Sequence, residues 1–347
     1  MRKTMTLAAL ARELGLSESA VSKALNDYPD ISPATKKLVR EKADALGYSP
    51  NLLARNLARK TSSFVGLVIR DVSSIYGEMY RSLHLAARQR GLHLILYESN
   101  NSLSLEQESV ENLLRTKAMG MVIVPASEDV SALRRLTRNR LPVVFLGNRI
   151  RRDDVNYVCT DTAAGTEIAL RHLIDCGHRK IVLLCDRKSS GSRSRRVATY
   201  QTLMNQIGEE SRIFTVDSEE PDPAQAGYAL TRQLLASGIR FTALCAGKDA
   251  LAIGAMGALT EAGIRIPDQV SVVGYDGIDA ARLPLIRLTT VAQPRREIAE
   301  AVIDILCRHA EDLGAPPEHR LIRPELILRN STGPVPTDPP EPSRSGQ

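Results

Sequence analysis

Apolar side chains recur at helical spacing over the first fifty residues and in continuous runs beyond them. In TLAALARELG (6–15), Leu7, Leu10, Ala11 and Leu14 share one face of a predicted helix that Gly15 closes. Ser17 is a good N-cap for a second helix, SESAVSKALN, which buries Val21 and Leu25 and ends at Asn26. Ser32 and Pro33 open a third, with Leu38, Val39, Ala43 and Leu46 as its apolar face and Gly47 as its stop. About three residues join the first two helices, which suits a helix-turn-helix.

From Phe64 the pattern changes. The runs FVGLVI (64–69), LHLILY (92–97), MVIVPA (121–126) and PVVFLG (142–147) alternate with helical stretches. A second series follows: VNYVCT (155–160), KIVLLC (180–185), RIFTV (212–216), FTALCA (241–246) and VSVVGY (270–275). Continuous apolar strands separated by helices predict parallel sheets covered on both faces. Two such series predict two lobes with a cleft between them, and ligands bind at the strand C-terminal ends of such folds.

Between head and body lies NLLARNLARK (51–60). Leu53 and Leu57 fall on one helical face, Arg55 and Arg59 on another. Ten residues are too few for a stable isolated helix in water.

Charge sharpens the division. Residues 1–60 hold eleven Lys/Arg against six Asp/Glu, a net +5, while the whole chain of 347 residues carries +6. That suits a small module meeting a polyanion, attached to an electrically balanced body, although a solvated basic face would account for the charge equally well. If the second helix enters a major groove, Glu18, Ser19 and Ala20 face base edges, with Ser22 and Lys23 a turn later. Lys23 is suited to guanine O6/N7 and Glu18 to cytosine N4, while Ser17 and Ser22 suit phosphate. A head that contacts protein instead of DNA is the bland alternative.

Other chemistries find little support. The longest apolar run, Ala250–Leu259, is well short of the ~18 residues needed to span a bilayer. No signal peptide is read at the N-terminus, so a cytoplasmic protein is expected. The five cysteines (Cys159, Cys176, Cys185, Cys245, Cys307) form no C-x-x-C pair and are expected reduced and largely buried. The six histidines show no metal-ligand spacing, and His178, after the helix-capping Gly177, reads as structural. There is no G-x-G-x-x-G, P-loop or G-x-S-x-G, and GAMGAL around Gly254 and Gly257 reads as helix packing. Neither metal, cofactor nor enzymatic activity is expected.

The AVSKALN helix, the LGYSPN turn and the hinge-to-strand junction together resemble the LacI/GalR family of bacterial transcription regulators, in register to about Thr332. The resemblance implies an all-α helix-turn-helix head over residues 1–49 and a hinge helix over 50–61. It implies a two-lobed α/β body, like type I periplasmic binding proteins, over 62–333. The Pro-rich 334–347 reads as a disordered tail, and the assembly as a homodimer. Partners would be a near-palindromic double-stranded operator and a small carbohydrate-type effector. The family's hinge segment folds on DNA, and by register Leu57 is the leucine that wedges into the minor groove. Asn51, Ala54 and Arg55 would lie at the same interface.

The chain would cross between lobes near Asp161, Val291 and Leu321. By register the effector residues are Arg196 and Asp276, the latter alternatively a turn-capping aspartate. Asp161 is either hinge or pocket. Lys248 stands where relatives carry asparagine, and Ser74 and Tyr76 line a first-lobe turn lacking the usual Asn-Pro-Phe. With Arg149 and other loop arginines nearby, these departures point to an acidic effector, a sugar acid or sugar phosphate. If Leu57 is the wedge, Leu57→Ala should weaken binding to the operator far more than to random duplex, read by titration of both; equal losses would count against the wedge.

Overall fold

The computed structural model describes residues 5–48, 62–72, 75–138, 141–147, 149–150, 152–186, 191–216 and 222–336. The chain divides into two compact units, one up to Ser62 and one from Ser63.

The first unit holds three helices: α1 (Leu7–Leu14), α2 (Glu18–Leu25) and α3 (Pro33–Ala45). Each starts at a hydroxyl cap: Thr6 accepts from the Ala9 N–H, Ser17 from Ala20 and Ser32 from Thr35. Gly15, at φ 64°, closes α1 in the left-handed region that a side chain would disfavour. Leu10, Ala11, Val21, Ala24, Val39 and Ala43 form the core. Leu38 is not part of it and is 53% exposed. Val39, Ala43 and Leu46 already complete the buried stripe, and Leu38 sits one residue, about 100°, off that face.

The second unit contains two six-stranded sheets. The first comprises β1 (Phe64–Ile69), β2 (His93–Glu98), β3 (Gly120–Ile123), β4 (Val143–Leu146), β5 (Asn156–Thr160) and β11 (His319–Ile322), in the order β11-β5-β4-β3-β1-β2. The second comprises β6 (Ile181–Asp186), β7 (Arg212–Val216), β8 (Ala243–Ala246), β9 (Ser271–Asp276), β10 (Thr289–Ala292) and β12 (Glu325–Ile327), in the order β12-β10-β9-β8-β6-β7. All pairings are parallel except β10 with β12.

Eight helices cover the sheets among the described residues: α4 (Ile75–Gln89), α5 (Leu103–Arg115), α6 (Ser131–Thr137), α7 (Thr162–Asp175), α8 (Gly191–Gln206), α9 (Pro223–Ala236), α10 (Asp249–Glu261) and α11 (Arg295–Glu311). Leu83, Val302 and Leu306 pack on one face of the first sheet, Leu113 and Leu133 on the other. Leu230 and Leu251 pack on one face of the second sheet, Leu170 and Leu203 on the other. Of the two glycines in GAMGAL, Gly254 is the packing residue. A Cβ there would lie 1.8 Å from the Ala224 carbonyl oxygen, so α9 and α10 touch backbone to backbone.

Two sequence expectations change. VNYVCT was grouped with the second series, yet β5 pairs with β4 in the first sheet, Phe145 opposite Tyr157. An apolar run marks a buried strand but carries no sheet membership. The chain then crosses to α7 after Thr160, returns after Ala292 to α11, and crosses again between β11 and β12. The body also extends past 333: the Val335 N–H donates to the Cys176 carbonyl at 2.8 Å. The proline-rich composition hid this docking, since Pro334 and Pro336 flank a residue that keeps its donor. Cys159, Cys185 and Cys245 are buried and Cys176 and Cys307 half-buried, and none of the five is in a disulfide. No helix among the described residues is long and apolar enough to cross a membrane.

His178 holds this C-terminal strap. Its Nδ1 meets Thr242 Oγ1 at 2.9 Å and its Nε2 lies 3.0 Å from Ser271 Oγ and 3.1 Å from the Gly333 carbonyl. Burial holds its pKa below the ordinary 6.5. The unfolded chain then takes up the proton more readily, so this contribution to stability is present above pH 6.5 and lost as pH falls below it. The body's urea midpoint should therefore drop on acidification, and His178→Gln should flatten that drop; identical slopes in both proteins would refute it.

Candidate functional site

Two faces are candidates, one in each unit. In the head, the N-cap puts Ser17, Glu18 and Ser19 at the exposed start of α2, with Ala20, Ser22 and Lys23 half-buried behind them. The Ser17 oxygen accepts from the Ala20 N–H, which leaves its hydroxyl proton available to a phosphate. Lys23 is engaged: its Nζ lies 2.5 Å from Asp30 Oδ2. Asp27 gathers Arg40 and Lys36 in the same loop, the latter at 3.9 Å. Asn51, Ala54, Arg55 and Leu57 lie outside the described residues, as does Ser74 in the body.

In the body, the strand C-terminal ends of both sheets border a cleft. A pocket of about 40 Å³ there is lined by Tyr76, Met79, Gly147, Cys159, Thr160 and Gln293 among others. Tyr76 opens α4 and packs beside Gly147, where φ is 93° and a Cβ would come within 3.4 Å of the Tyr76 hydroxyl. Arg70, at the end of β1, stands 5.7 Å from the Tyr76 ring centroid and donates to the Pro125 carbonyl at 3.0 Å. Its buried Nε has no hydrogen-bond partner. Arg149 is exposed, close behind Gly147. Burial pushes the Cys159 thiol up to about 11, against the opposing pull of the Arg195 and Arg149 charges, so the thiol stays protonated.

From the second lobe, Arg196 lies with its guanidinium carbon 4.7 Å from the Tyr275 ring centroid. Its Nε is buried without a hydrogen-bond partner. A Cβ at Gly247 would meet Arg196 Nη1 at 3.2 Å, so the small residue lets the guanidinium lie there. Lys248 occupies the N-cap position of α10, half-buried, with no side-chain cap.

Asp276 ends β9 with φ 114°, a conformation few non-glycine residues adopt. Its Oδ1 accepts from Gln293 Nε2 at 2.8 Å, while Thr160 Oγ1 donates to Gln293 Oε1 at 3.0 Å. A first-lobe strand end, a crossover and a second-lobe carboxylate are thus joined. Asp161 is the N-cap of α7, its Oδ1 accepting from the Ala164 N–H at 3.0 Å. Buried Asp249 accepts from Thr290 Oγ1 at 2.5 Å and from the Ile278 N–H at 2.8 Å. Burial first, and then the neighbouring Asp276, push its carboxyl up to about 7.

The sequence reading missed Arg70 and Gln293. A charged residue directly after the run FVGLVI was the available signal for Arg70. It also missed the clasp between lobes. Arg295 Nη1 lies 3.0 Å from Glu78 Oε2, the Asp279 N–H donates to Glu78 Oε1 at 2.7 Å, and Arg81 reaches Asp279 at 3.2 Å. On another side Glu128 accepts from the Gly191 N–H. No group of three or more His, Cys, Asp or Glu among the described residues could hold a metal ion.

A family model described as a periplasmic binding protein-like domain matches residues 170–332. The HTH-type transcriptional regulator GalR of Escherichia coli (strain K12) is 30% identical over 332 residues, 94% of this chain and 95% of that one. The regulator AscG of the same organism is 31% identical over 304 residues, 86% and 90% of the two chains. Among solved structures, the lac repressor dimer bound to operator and the anti-inducer ONPF superposes with a TM-score of 0.83 at 26% identity, over 95% of this chain and 100% of that one.

Glu78 and Arg295 are both about four-fifths buried, at 21% and 22% side-chain exposure. Arg295 Nη1 also donates to the Gly277 carbonyl at 2.8 Å, so Arg295→Met, which removes that charged hydrogen bond and leaves Glu78 without its ion-pair partner, should lower the body's stability by about 1–3 kcal/mol. The guanidinium unfolding midpoint measures it, and an unchanged midpoint would mean that the clasp holds nothing.

Proposed function

The chain belongs to the LacI/GalR family of transcriptional regulators, and from that premise we propose a repressor whose operator affinity is switched by a small acidic carbohydrate-type effector. As a member of the family it is a DNA-binding regulator, not an enzyme. The effector class rests on cations that follow strands of both sheets: Arg70 after β1 and Arg149 after β4 in the first lobe, Arg195 and Arg196 after β6 and Lys248 after β8 in the second. Two of these guanidinium groups, Arg70 and Arg196, bury an Nε with no hydrogen-bond partner. A carboxylate or phosphate would supply acceptors to such groups, and bidentate contact suits both anions. Asp276 is left to accept from sugar hydroxyls, and Tyr76 gives a ring for the apolar face of the sugar.

The head reads the operator through Ser17, Glu18, Ser19, Ala20, Ser22 and Lys23, and the 50–61 segment with Asn51, Ala54, Arg55 and Leu57 completes the contact. Two chains on a near-palindrome require a two-fold dimer. Exposed Leu85, Leu283 and Leu285, the last at 99% exposure, offer apolar surface for pairing. Effector binding shifts the lobes relative to each other and so changes the geometry in which two hinge segments meet DNA. Such a regulator works in the cytoplasm, where its DNA is.

Duplexes enriched from a random pool by the full-length protein at moderate salt should share a near-palindrome. Sugar acids or sugar phosphates should change affinity for that duplex and raise the melting temperature more than their neutral parents, and Arg196→Gln should abolish both responses. Equal responses to neutral sugars would overturn the acidic effector. No enrichment, with or without a sugar pool, would overturn the operator reading.

A further inference from the structure

The loop between α2 and α3 carries two aspartates on the most basic part of the chain. Its shape is strongly fixed. Asp27 sits in the left-handed region at φ 58°, its carboxylate on Arg40 and its carbonyl accepting from Lys36 Nζ at 3.2 Å. Asn26 Nδ2 donates to the Ser22 carbonyl at 2.8 Å, and the Tyr28 N–H donates to the Lys23 carbonyl at 3.1 Å. Asp30 is therefore presented from a held loop, its side chain 52% exposed, against the Lys23 side chain, itself 43% exposed. The hydrogen bond to Lys23 keeps the Asp30 carboxyl below its ordinary range, so it is charged at neutral pH.

A lysine is a flexible point charge that meets phosphate or guanine with little geometric preference. An aspartate beside it changes both terms. The pair presents almost no net charge to a phosphate, which lowers attraction to any duplex. An ammonium has three donors, so one N–H on Asp30 leaves two for the O6 and N7 of one guanine.

We propose that Asp30 is a positioning residue for Lys23, exchanging non-specific DNA affinity for selectivity at one base pair of each half-site. This rests on the reading of α2 as the base-contacting helix. An exposed ion pair is a bias and not a lock, so the effect belongs in the distribution of bound sequences and in the salt dependence.

The test uses the full-length chain and four variants: Asp30→Asn, Asp30→Glu, Lys23→Ala and the double variant Lys23→Ala/Asp30→Asn. Binding to a random-sequence duplex is titrated over a salt series, and bound sequences are selected from a random pool. Asp30→Asn should bind random duplex several-fold more tightly, with a salt slope steeper by about 0.9, the value for one additional phosphate contact. Its selected sequences should lose preference at a single position per half-site. Lys23→Ala should lose preference at that same position, a discrimination of roughly 5- to 150-fold. Adding Asp30→Asn to Lys23→Ala should change that position no further, and Asp30→Glu should restore most of the preference. Wild-type binding that is salt-dependent and selective, together with an Asp30→Asn chain of unchanged salt slope and unchanged base preference, would overturn the proposal alone. A Lys23→Ala chain that keeps every base preference would overturn the reading of Lys23 on which it rests. Asp30 is exposed, so equal melting temperatures for wild type and Asp30→Asn serve as the folding control.

Discussion

Three crossings of the chain between the two sheets govern what the body can do. Each is short, and they are bonded to one another. The Asp161 N–H at the first donates to the Ile322 carbonyl at the start of the third, 2.8 Å away. Gln293 at the second joins Thr160 beside the first to Asp276 in the far lobe. A hinge tied in this way leaves the lobes few motions other than rotation about it. The cleft lies where such rotation has its effect, at the C-terminal ends of both sheets. The clasp of Glu78, Arg295 and Asp279 holds part of the cleft rim together, so opening must break charged hydrogen bonds as well as turn the hinge.

The same device recurs at both candidate faces. Charges are held in advance by partners that a ligand can replace or share. In the cleft, guanidinium groups lie against tyrosine rings, Arg70 on Tyr76 and Arg196 on Tyr275, which orients them without using up their donors. Ring stacking costs less to exchange than a buried ion pair, whose removal leaves an uncompensated charge. In the head, Lys23 and Arg40 lie against carboxylates at an exposed surface, where pairing is weak and exchange easy.

Legibility in the sequence followed locality. The head helices could be read to within a residue because their signals are local: hydroxyl caps at Ser17 and Ser32, a glycine stop at Gly15 and an apolar stripe between. Leu38 failed because four apolar candidates competed for a stripe that three residues fill. In the body, β1 to β9 announced themselves as apolar runs. β10 hid because its buried Thr289 and Thr290 are polar, and β11 because His319, Arg320 and Leu321 face outward on an edge. The lobe assignment of β5 depended on a pairing that no local pattern encodes. The site divides in the same way. Tyr76, Arg196 and Asp276 were reached through family register. Gln293 acts through partners 133 and 17 residues away, and Glu78 meets Asp279 across 201 residues, distances over which sequence alone gives no contact.

One feature of the cleft sets function against sturdiness. Asp276 keeps a backbone geometry, φ 114°, that glycine adopts freely and aspartate adopts only under constraint. Gly277 beside it, at φ 70°, already has the residue type its conformation favours. Glycine at 276 would relieve that backbone constraint and, in the same change, remove the carboxylate that Gln293 bonds from the second crossover, so a search for heat-resistant forms of this protein would trade local backbone ease against the tie between the lobes.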